Sequence, residues 1–428
     1  MTDPDFGPPT EVEPIVETGL DEKIRFGLSG NLRRLALITG IGQFSMSVWI
    51  WQFSIFVEAN VNQLWQIGLT ISIGTFAMIV GYAISGTIAD YVGRKNAMVF
   101  GFVPIFVGLV ALRFFPVWPL IPLEYAFIEM GWAFIIIMTS AMPADEIAQT
   151  SGVNAARTFN MVLLPAFLID GLSPVLAGVL LNVGYVAGDL HLLAAIGAVI
   201  AMVATYRGVR ESLGHDIIEK ARAGSIITFR GLGRNFWIFA AGMFGFIFVM
   251  NFAFPFMGNL VVNGWGVSEA NYAFAWGAWS ITCVVLMYSL GSATDRNIRA
   301  ALITGTLSTA VIVGLFSYGS SFLDLIILNI LLAAPIVVWS GAEKTLTVNG
   351  VSNEMKGRAL GTFQLIMSTA RLFGQFIGAL LWDYFGSLRP VFGIASIAGM
   401  IIVVGLTYAL MKLKLEYRGE SLTLADTG

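Results

Sequence analysis

Gly86-Thr-Ile-Ala-Asp90-Tyr-Val-Gly93-Arg94-Lys95 is a short polar hinge set between two apolar runs of membrane-spanning length. Upstream the apolar run extends from Ile67 to Ser85. Downstream it extends from Ala97 to about Val117, with Arg113 its one charge. So short a connection forces the two spans into an antiparallel pair, and its glycines let the helix ends approach closely. Asp90 is expected just ahead of a helix starting near Arg94, where free N–H groups favour a carboxylate. Arg94 and Lys95 belong at the membrane surface, on the cytoplasmic side.

The whole chain reads in the same way. Of its 428 residues 57% are hydrophobic and 12% charged, with a mean hydropathy of +0.79. Soluble domains carry about 25% charged residues, so lipid is the solvent this sequence is built for. The net charge of −3 says little about partners, because the acids gather in the first 22 residues. One cysteine, Cys283, excludes an internal disulfide or a cysteine metal site, and two separated histidines make no metal cluster. No Gly-x-x-x-x-Gly-Lys-[Ser/Thr] loop binds a nucleotide here. No cofactor and no nucleic-acid partner are expected. Residues 1–30 form an acidic, proline-containing tail without the basic-then-apolar order of a signal peptide.

Hydropathy predicts twelve spans, at about 35–57, 65–86, 97–117, 120–141, 154–183, 190–206, 236–260, 271–290, 300–318, 322–340, 358–384 and 390–411. A basic linker, 207–234, separates a first half (31–206) from a second (235–412), and 413–428 is a C-terminal tail. With both termini inside, all of the 24 basic residues fall on the inner side except Arg113, Arg389 and the intramembrane Arg371. That bias fixes the expected orientation in a cell membrane.

The halves repeat each other at an offset of about 200 to 205 residues. Arg34 matches Arg234, Gly74 matches Gly277, and Arg157 matches Arg358. The hinge residues Gly86 and Asp90 match Gly291 and Asp295, although the second loop, with Arg296 after its aspartate, lacks Gly-Arg-Lys. The spacing Gly-x-x-x-Asp-x-x-Gly-Arg-Lys resembles the loop between helices 2 and 3 of the major facilitator superfamily. Tyr91 stands where that family usually has a basic residue. The resemblance covers residues 30 to 412. It implies an all-α membrane protein of two six-helix pseudo-repeats, with spans 1, 4, 7 and 10 around a central cavity and 2, 5, 8 and 11 between the halves. It also implies a gating role for Gly86, Asp90, Gly93, Arg94 and Lys95, and for Asp295 and Arg296 in the second copy.

Ionisable groups inside spans are expensive and mark sites. Glu129 lies roughly 18 Å from the inner end of span 4, at 1.5 Å per residue. Asp170 in span 5 and Arg371 in span 11 occupy equivalent places in the two halves. Arg371 is the candidate for a substrate carboxylate, and Glu129 or Asp170 for the coupling proton. The opposing reading is a buried Asp170–Arg371 pair that only holds the halves in register. Glu124 and Asp324 belong nearer the outer surface, where water makes a charge cheap. Gln52, Asn251 and Gln364 add polar groups for a substrate, and Pro255 can open the outer end of span 7. Gly374-x-x-x-Gly378 reads as a helix-packing seam.

The sequence thus predicts a monomeric secondary transporter, not an enzyme, moving a small solute by alternating access with the proton gradient as energy source. A small organic anion fits Arg371 best. Drug or metabolite efflux by proton antiport is the alternative. Gly171-Leu-Ser-Pro174-Val-Leu-Ala-Gly178 faintly resembles the span 5 motif of drug–proton antiporters, but Ser173 and Ala177 replace two glycines and span 4 lacks an arginine. A transporter-like receptor is the more distant reading.

Overall fold

The apolar runs form helices, because only a helix satisfies its own backbone within hydrocarbon. The computed structural model describes residues 28–149, 155–212, 231–349, 356–412, 415–418 and 421–424. The acidic tail, most of the basic linker and the extreme C-terminus lie outside these residues. The first seven helices are α1 (Gly30–Ser47), α2 (Phe53–Glu58), α3 (Trp65–Val92), α4 (Arg94–Phe114), α5 (Leu120–Gln149), α6 (Ala155–Asn182) and α7 (Ala187–Gly208). After the linker come α8 (Gly233–Met250), α9 (Glu269–Arg296), α10 (Ile298–Phe316), α11 (Phe322–Asn349), α12 (Lys356–Phe385) and α13 (Leu388–Lys412). A small antiparallel hairpin, β1 (Leu415–Arg418) and β2 (Ser421–Leu424), follows in the region expected to be a plain tail.

Among the described residues eleven helical segments are long and apolar enough to cross a membrane, where twelve were expected. The difference lies at the first span. There α1 carries Asn31, Arg33 and Arg34 in its first turns and stops at Ser47. A 3₁₀ turn (Ile50–Gln52) separates it from the short α2. Span 7 breaks in the same manner. α8 stops at Met250, and a 3₁₀ turn at Phe254–Phe256 contains Pro255, which has no N–H to continue the ladder. The two 3₁₀ turns stand 204 positions apart, inside the offset of the internal repeat.

Helices α1 to α7 pack among themselves, as do α8 to α13. The long helices of the two sets meet chiefly in two pairs, α3 with α12 and α6 with α9, and the broken ends of spans 1 and 7 also touch. The paired helices are spans 2, 11, 5 and 8, as the resemblance implies. The α6–α9 seam is close because it is made of glycine. A Cβ on Gly277 would lie 2.7 Å from the Gly171 carbonyl oxygen. The α3–α12 seam is hydrogen-bonded: Ser72 donates to the Leu372 carbonyl at 2.8 Å and Thr75 to Gln375 at 3.1 Å. Gly374 and Gly378 lie against Phe248 and Phe252, so that motif packs α12 onto the end of α8.

Candidate functional site

Between the two sets of helices lies a cavity of about 1120 Å³. Helical spacing selects its lining, since residues three, four and seven apart share a face. α1 supplies Gln43, Met46 and Ile50; α5 supplies Glu129, Trp132 and Ile136; α12 supplies Gln364 and Arg371. α3 adds Tyr82, Thr87 and Asp90, and α11 adds Glu343, Lys344 and Thr347. The lining thus includes spans 2 and 11 beside 1, 4 and 10. Span 7, expected to contribute, supplies no side chain to it among the described residues.

The cavity reaches the end of the bundle that holds the hinge, since Asp90 and Thr87 lie in the last turns of α3. The opposite end is shut where the two broken helices meet. Asn259 donates to the Ser54 carbonyl at 3.0 Å and to Glu58 at 2.6 Å, and Asn263 donates to Glu58 at 2.6 Å. Trp51 meets Tyr272 edge to face at 5.7 Å.

Arg371, Glu129 and Gln364 are brought together in this cavity. Among the described residues none of Arg371, Glu129 and Glu343 makes an ion pair within 4.0 Å. Arg371 is near enough to Glu343 and Tyr82 to interact electrostatically. Glu129 is 7% exposed, with Tyr125 one turn away within hydrogen-bonding reach. Asp170 is elsewhere. It faces α1 and α9, where Oδ1 accepts from Gln43 Nε2 at 2.9 Å and Ser47 Oγ at 2.5 Å, and Oδ2 from Ser280 Oγ at 3.3 Å. No Asp170–Arg371 pair forms, because hydroxyl and amide donors on neighbouring helices already surround the carboxylate.

Gln52 and Asn251 do not line the cavity. Gln52 is fully buried in the 3₁₀ turn, and both ends of its amide lack a hydrogen-bond partner among the described residues. Asn251 donates to the Ile247 carbonyl at 2.7 Å, closing the last turn of α8. Glu124, expected near water, is 7% exposed, with one carboxylate oxygen unpartnered among the described residues.

At the hinge α3 runs on through Asp90 to Val92, so Asp90 is not ahead of the next helix. Gly93 alone makes the turn, at φ 89°. The place at the start of α4 belongs to Glu211, which accepts the backbone N–H groups of Arg94 at 2.8 Å and Lys95 at 3.1 Å. Arg94 lies between two carboxylates, 3.7 Å from Asp90 and 3.5 Å from Asp145. Ser212 donates to Asp145 at 2.9 Å. The segment after α7 is thereby tied to the hinge. In the second copy the side chains of Asp295 and Arg296 lie outside the described residues.

Sequence reasoning passed over Glu343 and Lys344. Span 10 was expected to end near 340, but α11 continues as helix to Asn349. The signal was two ionisable residues directly after an apolar run, read as the start of a loop.

Two packed sets of membrane-length helices around a central cavity make a fold shared with known transporters. No family model matches the chain. It is 23% identical over 414 residues to the enterobactin exporter EntS of Salmonella typhi, covering 93% of this chain and 94% of that protein. The Escherichia coli K12 exporter of that name is 21% identical over 390 residues, covering 90% and 91%. Among solved structures, the nucleoside transporter NupG superposes with a TM-score of 0.72 at 12% identity, over 90% of this chain and 99% of that one. The human organic anion transporter MFSD10 gives 0.61 at 13%, over 88% and 99%. The chain thus shares the fold of solved transporters of the major facilitator type, and the curated relatives it resembles are exporters.

Proposed function

We propose that the chain exports a small organic ligand carrying an anionic group, by alternating access coupled to the proton gradient. The observation that carries this reading is Arg371 in a large cavity with no ion pair of its own. A guanidinium keeps its charge and grips a carboxylate bidentately, so a cavity-facing one with no acid at ion-pair distance is suited to a ligand's acid. Glu129, in the same space, is the proposed proton carrier. Asp170 has a structural role, as the acceptor that ties α1 and α6 to α9. The hinge loop and both termini belong on the cytoplasmic side, so the cavity stands open to the cytoplasm, twelve crossings complete the bundle and the protein acts as a monomer. The exporter relatives support the outward direction.

The aromatic walls formed by Tyr82, Trp132 and Phe363 favour a second reading, efflux of apolar drugs or metabolites without any contact to Arg371. Proteoliposomes separate the two. Under an imposed pH gradient, wild-type protein is expected to accumulate aromatic carboxylates and Arg371→Ala to lose them. If Arg371→Ala transports as well as wild type, the anion reading falls and the apolar efflux reading replaces it.

A further inference from the structure

His191 on α7 is fully buried, and neither ring nitrogen has a hydrogen-bond partner among the described residues. Buried polar groups are as a rule satisfied, so an imidazole with both nitrogens idle calls for a use. Its place supplies one. Glu129, facing the cavity, lies nine positions past the start of α5 and Tyr125 five, while His191 lies four positions past the start of α7 and Asp189 two. Both helices start at the end opposite the hinge, so at 1.5 Å per residue these groups lie roughly 14, 8, 6 and 3 Å from it. They form a series that climbs from the cavity to the surface. Its first step is Tyr125, within hydrogen-bonding reach of Glu129. Its last is the partly exposed pair of Asp189 and Arg113 at 3.2 Å, and Arg113 is near enough to His191 to act on it.

One gap interrupts the series. Trp49 stands between Tyr125 and His191, edge to face with both at 6.3 and 5.2 Å, and its N–H is spent on the Ser45 carbonyl at 2.8 Å. The other elements around the ring add little that titrates. α2 packs Phe56 on it, with Glu58 turned to Asn259 and Asn263. α1 carries its charges, Arg33 and Arg34, at the hinge end. Glu124 of α5 is the remaining buried acid on this side. We propose that His191 relays the coupling proton between the outer surface and Glu129, with Trp49 as the break that holds the relay shut while the cavity is open. A neutral imidazole has one N–H and one lone pair. It can take a proton from water beside Arg113 and Asp189 on one nitrogen and release the proton on the other. Tyr125 receives that proton as it passes its own to the Glu129 carboxylate, and a turn of the ring resets the relay. In this structure Glu129 faces the open cavity, where an unbroken relay would let protons cross without ligand. This inference rests on the reading of Glu129 as the proton carrier and gives that carrier its path.

The test uses the full chain in proteoliposomes, with labelled 3-phenylpropionate as probe. Wild type is expected to accumulate the probe under an imposed pH gradient. His191→Leu and the more polar His191→Gln should both lose that accumulation, because neither side chain can take up and release a proton. Both should keep wild-type exchange of internal for external probe, which moves no net proton. His191→Gln decides the matter if His191→Leu does not fold. His191 variants that accumulate like wild type, while Glu129→Gln does not, overturn the inference and leave Glu129 standing. So does loss of exchange together with accumulation, which reduces His191 to a packing residue. Glu129→Gln that accumulates like wild type overturns the carrier reading and the relay with it. Wild type that never accumulates the probe overturns proton coupling, and again the relay falls.

Discussion

The side-chain amide of Asn259 donates to Glu58 at 2.6 Å, and this bond crosses from the second set of helices to the first at the shut end of the cavity. Asn263 reaches the same carboxylate at the same distance. Hydrogen bonds to a charged group contribute about 1.5–3 kcal/mol each where water is excluded, and less here because Glu58 is half-exposed. Glu58→Ala should therefore loosen this end without unfolding the protein. With Cys283→Ser as background, since Cys283 is the one native cysteine, a probe cysteine at Ser54→Cys reports access. Its labelling by a membrane-impermeant maleimide should quicken several-fold in the Glu58→Ala variant. An unchanged rate would mean that apolar contacts such as Trp51–Tyr272 make the seal alone.

At the hinge, Gly93→Ala should destabilise more than Glu211→Gln. A Cβ at Gly93 would run into the Glu211 carboxylate, and φ 89° is a strained conformation for alanine, costing about 1–3 kcal/mol. Glu211→Gln keeps the size and one acceptor at the helix start, and loses the charge and the acceptor for the other N–H group. Thermal unfolding in detergent should rank wild type, Glu211→Gln, Gly93→Ala from most to least stable. The reverse order of the two variants would show that charge at the start of α4 outweighs backbone strain.

The two intramembrane acids of the first half should behave differently. Glu129→Gln is expected to abolish accumulation driven by a pH gradient while sparing substrate exchange, which moves no net proton. Asp170→Asn should retain coupling but reduce stability, because an amide cannot accept equally from Gln43, Ser47 and Ser280. If Asp170→Asn uncouples and Glu129→Gln does not, the proton carrier is Asp170.

Arg371→Lys keeps the charge and loses the forked geometry. Binding of an anionic ligand should weaken by roughly ten- to a hundredfold, with Arg371→Ala weaker still. Equal affinity in Arg371→Lys would reduce the site to a point charge. Adding Asp170→Ala to Arg371→Ala should restore nothing, since the structure does not pair these residues.

His191 is buried between Trp49 and Phe56, at ring separations of 5.2 and 4.6 Å, and neither ring nitrogen has a hydrogen-bond partner among the described residues. A buried polar group left unpaired costs about 1–3 kcal/mol. His191→Leu is therefore expected to raise the unfolding temperature. A fall of several degrees would reveal a bound water serving those nitrogens.

Most of the fold was legible because lipid allows few alternatives. Long apolar runs, the Gly86–Lys95 hinge and the repeat already imply two related sets of helices, and the resemblance to the superfamily implies the α3–α12 and α6–α9 seams. Within the site, Arg371, Glu129 and Gln364 could be read because charge or amide inside a span is rare. What escaped depended on where helices stop. Glu343 was hidden because α11 outlasts its hydrophobic run. Glu211 was hidden because hydropathy cannot tell which carboxylate reaches a helix start more than a hundred residues away in sequence. Asp170 was expected to approach the cavity, but it turns to Gln43, Ser47 and Ser280, since rotation about a helix is set by the neighbours and not by counting.

The paired 3₁₀ turns at Ile50–Gln52 and Phe254–Phe256 give the two mouths of this transporter unequal mechanics. A break in the backbone ladder lowers the cost of bending at that point. On the shut side, Phe53–Glu58 and Met257–Gly264 can swing as short tips while the bodies of α1 and α8 stay packed. On the hinge side, α3 and α12 run to their ends without a proline, and α5 and α11 stay helical although they carry Pro143 and Pro335, so movement there engages longer lengths of helix. One mouth is a pair of fingertips and the other a pair of forearms. Ligand release should accordingly be sensitive to substitutions in the fourteen residues of the two tips, whereas closing behind the ligand engages the full length of both helical sets.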